Sequence, residues 1–216
     1  MIITWLGQSC FKLQTQNATV LIDPYTKEIG IRLPKVTADF VLVTHDHYDH
    51  NNVADVSGSP YVASTPGEYE VRGVFAHGIS AFHDATEGKD RGAITMYRIE
   101  AEGMTLAHLG DLGQPKLTDE QFEQLNGVDI LFIPVGGIYT IDAKAAVDII
   151  TQLEPRVVIP MHYKIPGLNP KLGLDGVEKF IKQMGLTTNG REDKLKIVKK
   201  DLPQEETKVI LLNPAA

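Results

Sequence analysis

Apolar residues come in short runs of four to eight along most of the chain, and each run is broken by Gly, Pro, Asn or Asp. Runs of that length, rich in Val and Ile, predict strands buried on one or both faces. They are IITWL (2–6), CFKLQT (10–15), TVLIDP (19–24), DFVLVTH (39–45), PYVAS (60–64), GVFAHGISAFH (73–83), AITMYRIE (93–100), MTLAHLG (104–110), DILFIPV (129–135) and RVVIPMH (156–162). The breaks QNA (16–18) and AEG (101–103) suit tight turns between antiparallel neighbours. The tail reads as two more strands, within KLKIVKK (194–200) and TKVILLNP (207–214).

The period changes after residue 117. LTDEQFEQLNG (117–127) opens on Thr118 with Gln121 three residues on, a capping-box spacing, and closes on Gly127. IDAKAAVDIITQLEP (141–155) starts after Asp142, lines up Val147, Ile150 and Leu153, and ends before Pro155. LDGVEKFIKQMG (174–185) offers Asp175 as a cap, an apolar face of Val177, Phe180, Ile181 and Met184, and Gly185 as a stop. The segment from Tyr25 to Ala38 has no clear period, and a loop of that length is often functional. Many strands with interspersed and late helices predict an α/β (α+β) layered domain. With no repeat or linker, residues 1–216 are expected to form a single domain.

Composition adds exclusions. A net charge of −7 without a Lys/Arg-rich segment argues against nucleic acid as a partner. The single cysteine, Cys10, fits a reducing compartment and reads as a small core residue. The first residues lack the pattern of an export signal, and no apolar run is long enough to span a bilayer. The expectation is a cytoplasmic protein with no membrane association; a homo-oligomer is left open.

The chemistry concentrates where strands end. THDHYDH (44–50) places His45, His47, Asp49 and His50 within six positions directly behind the apolar run FVLV. Residues two apart on a strand share a side, so His45 and His47 can aim at one point, with Asp49 and His50 aimed at a second. Imidazole and carboxylate are suitable ligands for zinc and similar divalent ions. Four such groups without partners would be costly to bury, and a metal compensates. His83, Asp111 and His162 also each end an apolar run.

THDHYDH resembles the signature of the metallo-β-lactamase fold hydrolases. TVLIDP, ISAFHD, LAHLGDLG and VVIPMHY follow that family's other marks in order. The branch marks STPGEYEVRGVFAHGISAFHD, LFIPVGGIYTIDA and IPMHYK look like a bacterial and archaeal group of short zinc-dependent hydrolases. Its wider relatives include ascorbate-6-phosphate lactonase and N-acyl-phosphatidylethanolamine phospholipase D.

The resemblance implies a four-layer αββα sandwich and two divalent metal ions, zinc first, with manganese or iron as alternatives. It implies that His45, His47 and His83 hold one metal, that Asp49, His50 and His162 hold the other, and that Asp111 bridges them. Asp111 and Asp49 count among the catalytic residues, and Asp23 orients the histidine loop. The implied activity is hydrolysis by a metal-bound hydroxide. The favoured substrate is a small anionic phosphodiester, lactone or ester, and the alternatives are a non-catalytic metal-binding regulatory module or a nuclease.

The segment between Asp111 and His162 has no room for the inserted domain of RNA-cleaving relatives. His47 stands where flavodiiron relatives have glutamate. His83 is followed by Asp84, outside the Pro-Gly-His pattern of glyoxalase II. Among weaker candidates, Tyr139 could face the pocket and Tyr163 could lie beside the metals, though an aromatic there is often packing, and Arg91 and Lys164 could meet a substrate phosphate or carboxylate, with solvated surface charge the default for both.

Overall fold

The computed structural model describes residues 1–187 and 190–215. Among the described residues, thirteen strands form two mixed sheets. The first holds β1 (Ile2–Gly7), β2 (Cys10–Gln14), β3 (Thr19–Ile22), β4 (Phe40–Leu42), β5 (Tyr61–Ala63) and β12 (Leu195–Lys196), in the order β12-β1-β2-β3-β4-β5. The second holds β6 (Gly67–Val71), β7 (Val74–Phe82), β8 (Ala93–Ala101), β9 (Met104–His108), β10 (Ile130–Pro134), β11 (Val157–Met161) and β13 (Lys208–Val209), in the order β13-β11-β10-β9-β8-β7-β6.

The sheets pack face to face. The Phe11 ring on β2 lies 4.4 Å from that of Phe132 on β10, and Trp5 on β1 lies 5.0 Å from Tyr163 just beyond β11. β4, β10 and β11 are buried along their whole length, as expected for parallel strands covered on both faces. Cys10 lies in this core.

Among the described residues, three short α-helices complete the αββα sandwich: α1 (Asp119–Leu125), α2 (Ala143–Leu153) and α3 (Val177–Gln183). Thr118 caps α1 through the expected capping box with Gln121. Asp142 caps α2, its carboxylate accepting from the Ala145 N–H. No helix among the described residues is long and apolar enough to cross a membrane.

Three details differ from the sequence reading. β6 was not expected, because GEYEV turns its glutamates outward and carries little apolar signal. It pairs with β7 through a two-residue turn in which Arg72 and Gly73 both have positive φ, the geometry that matches strand twist. The buried face of α2 is Ala146, Ile149, Ile150 and Leu153, and Val147 is only partly covered. Asp175 does not cap α3: Gly176 holds that position, and the Asp175 carboxylate pairs with Lys179 at 2.6 Å.

The Tyr25–Ala38 segment is tied down rather than free. The Tyr25 hydroxyl donates to the Leu6 carbonyl at 2.5 Å, a 3₁₀ turn covers Lys27–Ile29, and the Asn169 N–H reaches the Ile29 carbonyl at 2.7 Å.

β3, β4, β9 and β11 deliver their C-terminal ends to Asp23, His45, Asp111 and His162, and β7 delivers its own to His83. Crevices outside the carboxyl ends of strands are where open α/β sheets bind ligands.

Candidate metal centre

β4 ends at Leu42, and the chain then turns tightly, with the His50 and Asn51 N–H groups both reaching the His47 carbonyl at 2.8 and 3.0 Å. That turn brings the four groups of THDHYDH together. The fold adds His83, Asp111 and His162 to them. Their donor atoms fall into two sets within which all lie close enough to share an ion: His45, His47 and His83, then Asp49, His50, Asp111 and His162. Asp111 Oδ2 sits between the sets. It lies 3.2 Å from His50 Nε2, 3.2 Å from His162 Nε2 and 3.6 Å from His83 Nε2. All seven sequence candidates are therefore in one place.

Hydrogen bonds fix which nitrogen of two histidines is free. The Thr44 hydroxyl has one proton, and Asp23 Oδ2, 2.8 Å away, can only accept it. Thr44 Oγ1 must then accept from His45 Nδ1 at 2.9 Å, so the His45 proton is on Nδ1 and Nε2 keeps its lone pair. His50 Nδ1 donates directly to the same Asp23 oxygen at 2.9 Å, which frees His50 Nε2 as well. Asp23 also accepts from the Thr44 N–H at 2.8 Å. One buried carboxylate thus orients two imidazoles, an arrangement typical of the groups behind metal-binding histidines.

The sequence reading missed Gln8, Ser9 and Thr44 as participants. Gln8 Nε2 donates to Asp49 Oδ2 at 3.0 Å, and Ser9 Oγ donates to Asp111 Oδ1 at 3.3 Å. Both sit in the β1–β2 turn, where polar residues are ordinary. The one available signal was the polar pair Gln8–Ser9 set between two largely apolar strands.

His108 is a packing residue. Its Nδ1 accepts from the Gly110 N–H at 3.2 Å, and its Nε2 faces the Ser9 carbonyl at 2.9 Å. Tyr163 packs on Trp5, and its hydroxyl accepts from Arg191 at 2.8 Å, away from the cluster. His77 lies within β7 opposite Glu68 of β6.

The electrostatics ask for a cation. Burial, and then the neighbouring His50, hold His45 down at about 2, and burial likewise lowers His83. Burial also opposes charge on His50, but Asp111, Asp23 and Asp49 together outweigh it and raise its pKa. Asp111 is pushed up by burial and pulled further down by His162 and His50. Nε2 of His45 and of His50, the nitrogens left free by the bonds to Thr44 and Asp23, are buried without a hydrogen-bond partner. Buried nitrogen lone pairs around shared carboxylates are suited to divalent ions of the zinc type.

Glycines let the loops touch. A Cβ on Gly113 would lie 2.3 Å from both C and O of His83 and 2.4 Å from N of Asp84. One on Gly136 would lie 2.1 Å from the His162 carbonyl oxygen. These neighbours are backbone and cannot swing aside. Gly113→Ala is therefore expected to lower stability by roughly 1–3 kcal/mol, the usual range for overpacking, and to displace His83. Urea denaturation and the zinc content of the purified variant would check it, and a variant with wild-type values of both would contradict the close contact.

Residues 2–162 match the family described as the Beta-lactamase superfamily domain. The chain belongs to that superfamily.

This superfamily member is 36% identical to a crystallised Thermotoga maritima protein assigned as a Zn-dependent hydrolase of the metallo-β-lactamase superfamily. The match covers 98% of this chain and 97% of that one, with a TM-score of 0.78. It is 30% identical over 225 residues to a UPF0173 metal-dependent hydrolase of Pyrococcus abyssi, covering 91% of this chain and 94% of the relative. A UPF0173 protein from the same archaeon is 32% identical over 181 residues, covering 76% and 83% of the two chains. The superfamily member is accordingly a metal-dependent hydrolase with the metallo-β-lactamase fold.

Proposed function

We propose that the chain hydrolyses a small anionic phosphodiester, lactone or carboxylic ester at a pair of divalent ions, with zinc the first choice. The observation that carries this reading is Asp111 Oδ2, one oxygen within 3.6 Å of three histidine Nε2 atoms drawn from both ligand sets. His45, His47 and His83 would hold one ion. Asp49, His50 and His162 would hold the second, and Asp111 would reach both. When bound, the ions supply a water acidic enough to ionise near neutral pH and positive charge against a developing oxyanion.

The remaining work belongs to the chain's own groups. Asp23 and Thr44 keep the His45 and His50 lone pairs aimed inward. Gln8 holds Asp49, and Ser9 holds the outer oxygen of Asp111. Asp111, His50, His83 and His162 are almost wholly buried, so these charges act in a medium where they are poorly screened. His47 and Tyr48 remain exposed and mark the side from which a substrate can approach.

The test is turnover. Protein loaded with zinc or manganese is assayed on bis-p-nitrophenyl phosphate, p-nitrophenyl butyrate and a δ-lactone. Hydrolysis of at least one, rising with metal content, is the expected result. Protein that holds its metal and turns over none of the three would overturn the reading.

A further inference from the structure

The loop after His83 is built with unusual care for an exposed segment. The Asp84 carboxylate accepts from the backbone N–H groups of Thr86, Gly88, Asp90 and Arg91 at 2.8–3.0 Å, and from the Thr86 hydroxyl at 2.9 Å. Five donors on one side chain fix the course of residues 84–91. The His83 N–H then bonds the Gly92 carbonyl at 3.0 Å, so Arg91 is held next to a candidate ligand of the metal cluster.

A second loop meets it. Residues 136–142 follow β10, and the Ile141 N–H bonds the Leu112 carbonyl at 2.8 Å, one residue beyond Asp111. Its Tyr139 ring lies under the Arg91 guanidinium, 4.7 Å from centroid to Cζ. Stacking on an aromatic face orients a guanidinium and leaves its N–H edges free. Arg72, Arg98, Arg156 and Arg191 spend guanidinium N–H groups on carboxylates, carbonyls or a phenol, and Arg32, which has no such partner among the described residues, has no aromatic seat either. The Arg91 guanidinium makes no hydrogen bond or ion pair among the described residues, although the chain carries seven more negative than positive charges.

We propose that Arg91, seated on Tyr139 beside the metal cluster, is a specificity-determining residue that receives an oxyanion group of the substrate distant from the bond being cut. A planar fork with free N–H edges is matched to carboxylate and phosphate oxygens. The proposal deepens the hydrolase reading and rests on it for the position of the scissile group. A substrate would be anchored at two points, by the metal cluster at the reacting centre and by Arg91 at a charged tail.

The test uses binding, so that it does not depend on turnover. Calorimetry on zinc-loaded protein compares acetate with succinate and with 3-phosphonopropionate, which add a second carboxylate or a phosphonate to the same anchoring group. The wild type is expected to prefer both two-ended probes over acetate by roughly 10-fold or more, the scale of one charge-assisted hydrogen bond. Arg91→Gln should erase that preference while leaving acetate binding unchanged, and its melting temperature should fall by no more than the loss of the Tyr139 stack, because the side chain makes no hydrogen bond within the fold. Tyr139→Leu should weaken the preference in the same direction. The probe that suffers more in Arg91→Gln identifies the tail as carboxylate or phosphate.

An unchanged ratio of succinate and phosphonopropionate to acetate in Arg91→Gln overturns the proposal, even if esters are hydrolysed. A lost ratio in a protein that hydrolyses nothing keeps the anion subsite and removes the hydrolase reading instead.

Discussion

Asp111→Asn is expected to abolish turnover, lowering kcat/KM by about 10³-fold or more, the scale on which removal of one preorganised electrostatic element acts. Ser9 Oγ donates to Asp111 Oδ1 at 3.3 Å, so an amide in that place would keep its oxygen toward Ser9. Its NH2 group would then point at the Nε2 atoms of His50, His83 and His162, which lie within 3.6 Å of Oδ2. A hydrogen-bond donor would occupy the position from which a carboxylate oxygen could reach an ion. The variant should also purify with fewer metal equivalents than the wild type, which elemental analysis measures beside the kinetics. An amide variant that keeps its metals and works within about tenfold of wild type would remove Asp111 from the centre of the site, since a single general acid–base group alone is worth more than that.

Asp23→Asn should do nearly as much damage without touching any proposed ligand. The amide oxygen can still accept from the Thr44 N–H, but its NH2 would face Thr44 Oγ1 and His50 Nδ1. Thr44 Oγ1 would become an acceptor of that NH2 and turn its own proton toward His45 Nδ1. The His45 proton would move to Nε2, the nitrogen meant for the metal, and His50 Nδ1 would lose its acceptor. Zinc affinity should fall by roughly 10–100-fold, as it does when groups behind metal-binding histidines are removed. Nitrogen NMR of the imidazoles separates the two tautomers directly. Thr44→Val is the companion: it breaks the path to His45 and leaves the Asp23–His50 bond in place, so its loss should be smaller. Unmoved imidazole protons with unchanged affinity in Asp23→Asn would sink the relay.

The strands that carry the cluster were legible because each is an apolar run ended abruptly by His or Asp. Burial on both faces leaves no other composition open to β4, β10 and β11. The crowding of His45, His47, Asp49 and His50 was legible for the opposite reason, since polar density behind a buried strand needs a partner. β6 was hidden because an edge strand with Glu68 and Glu70 facing out has the composition of a loop. Gln8, Ser9 and Thr44 were hidden because their roles depend on contacts 41, 102 and 21 residues away, which no local pattern encodes. Asp175 misled because a good capping residue one position too early was taken up by Lys179.

The last two strands have an effect on how this molecule is made. β12 pairs with β1 and β13 pairs with β11, so the final segments close one edge of each sheet. Every histidine and aspartate of the cluster lies before residue 163 and leaves the ribosome earlier. Until the tail emerges, β1 and β11 each present an unpaired edge, the kind of surface on which nascent chains stick to one another. The interval between completing the ligand set and sealing the sandwich is thus the stage of biosynthesis at which chaperones, and an early-binding ion, have the most to offer this chain.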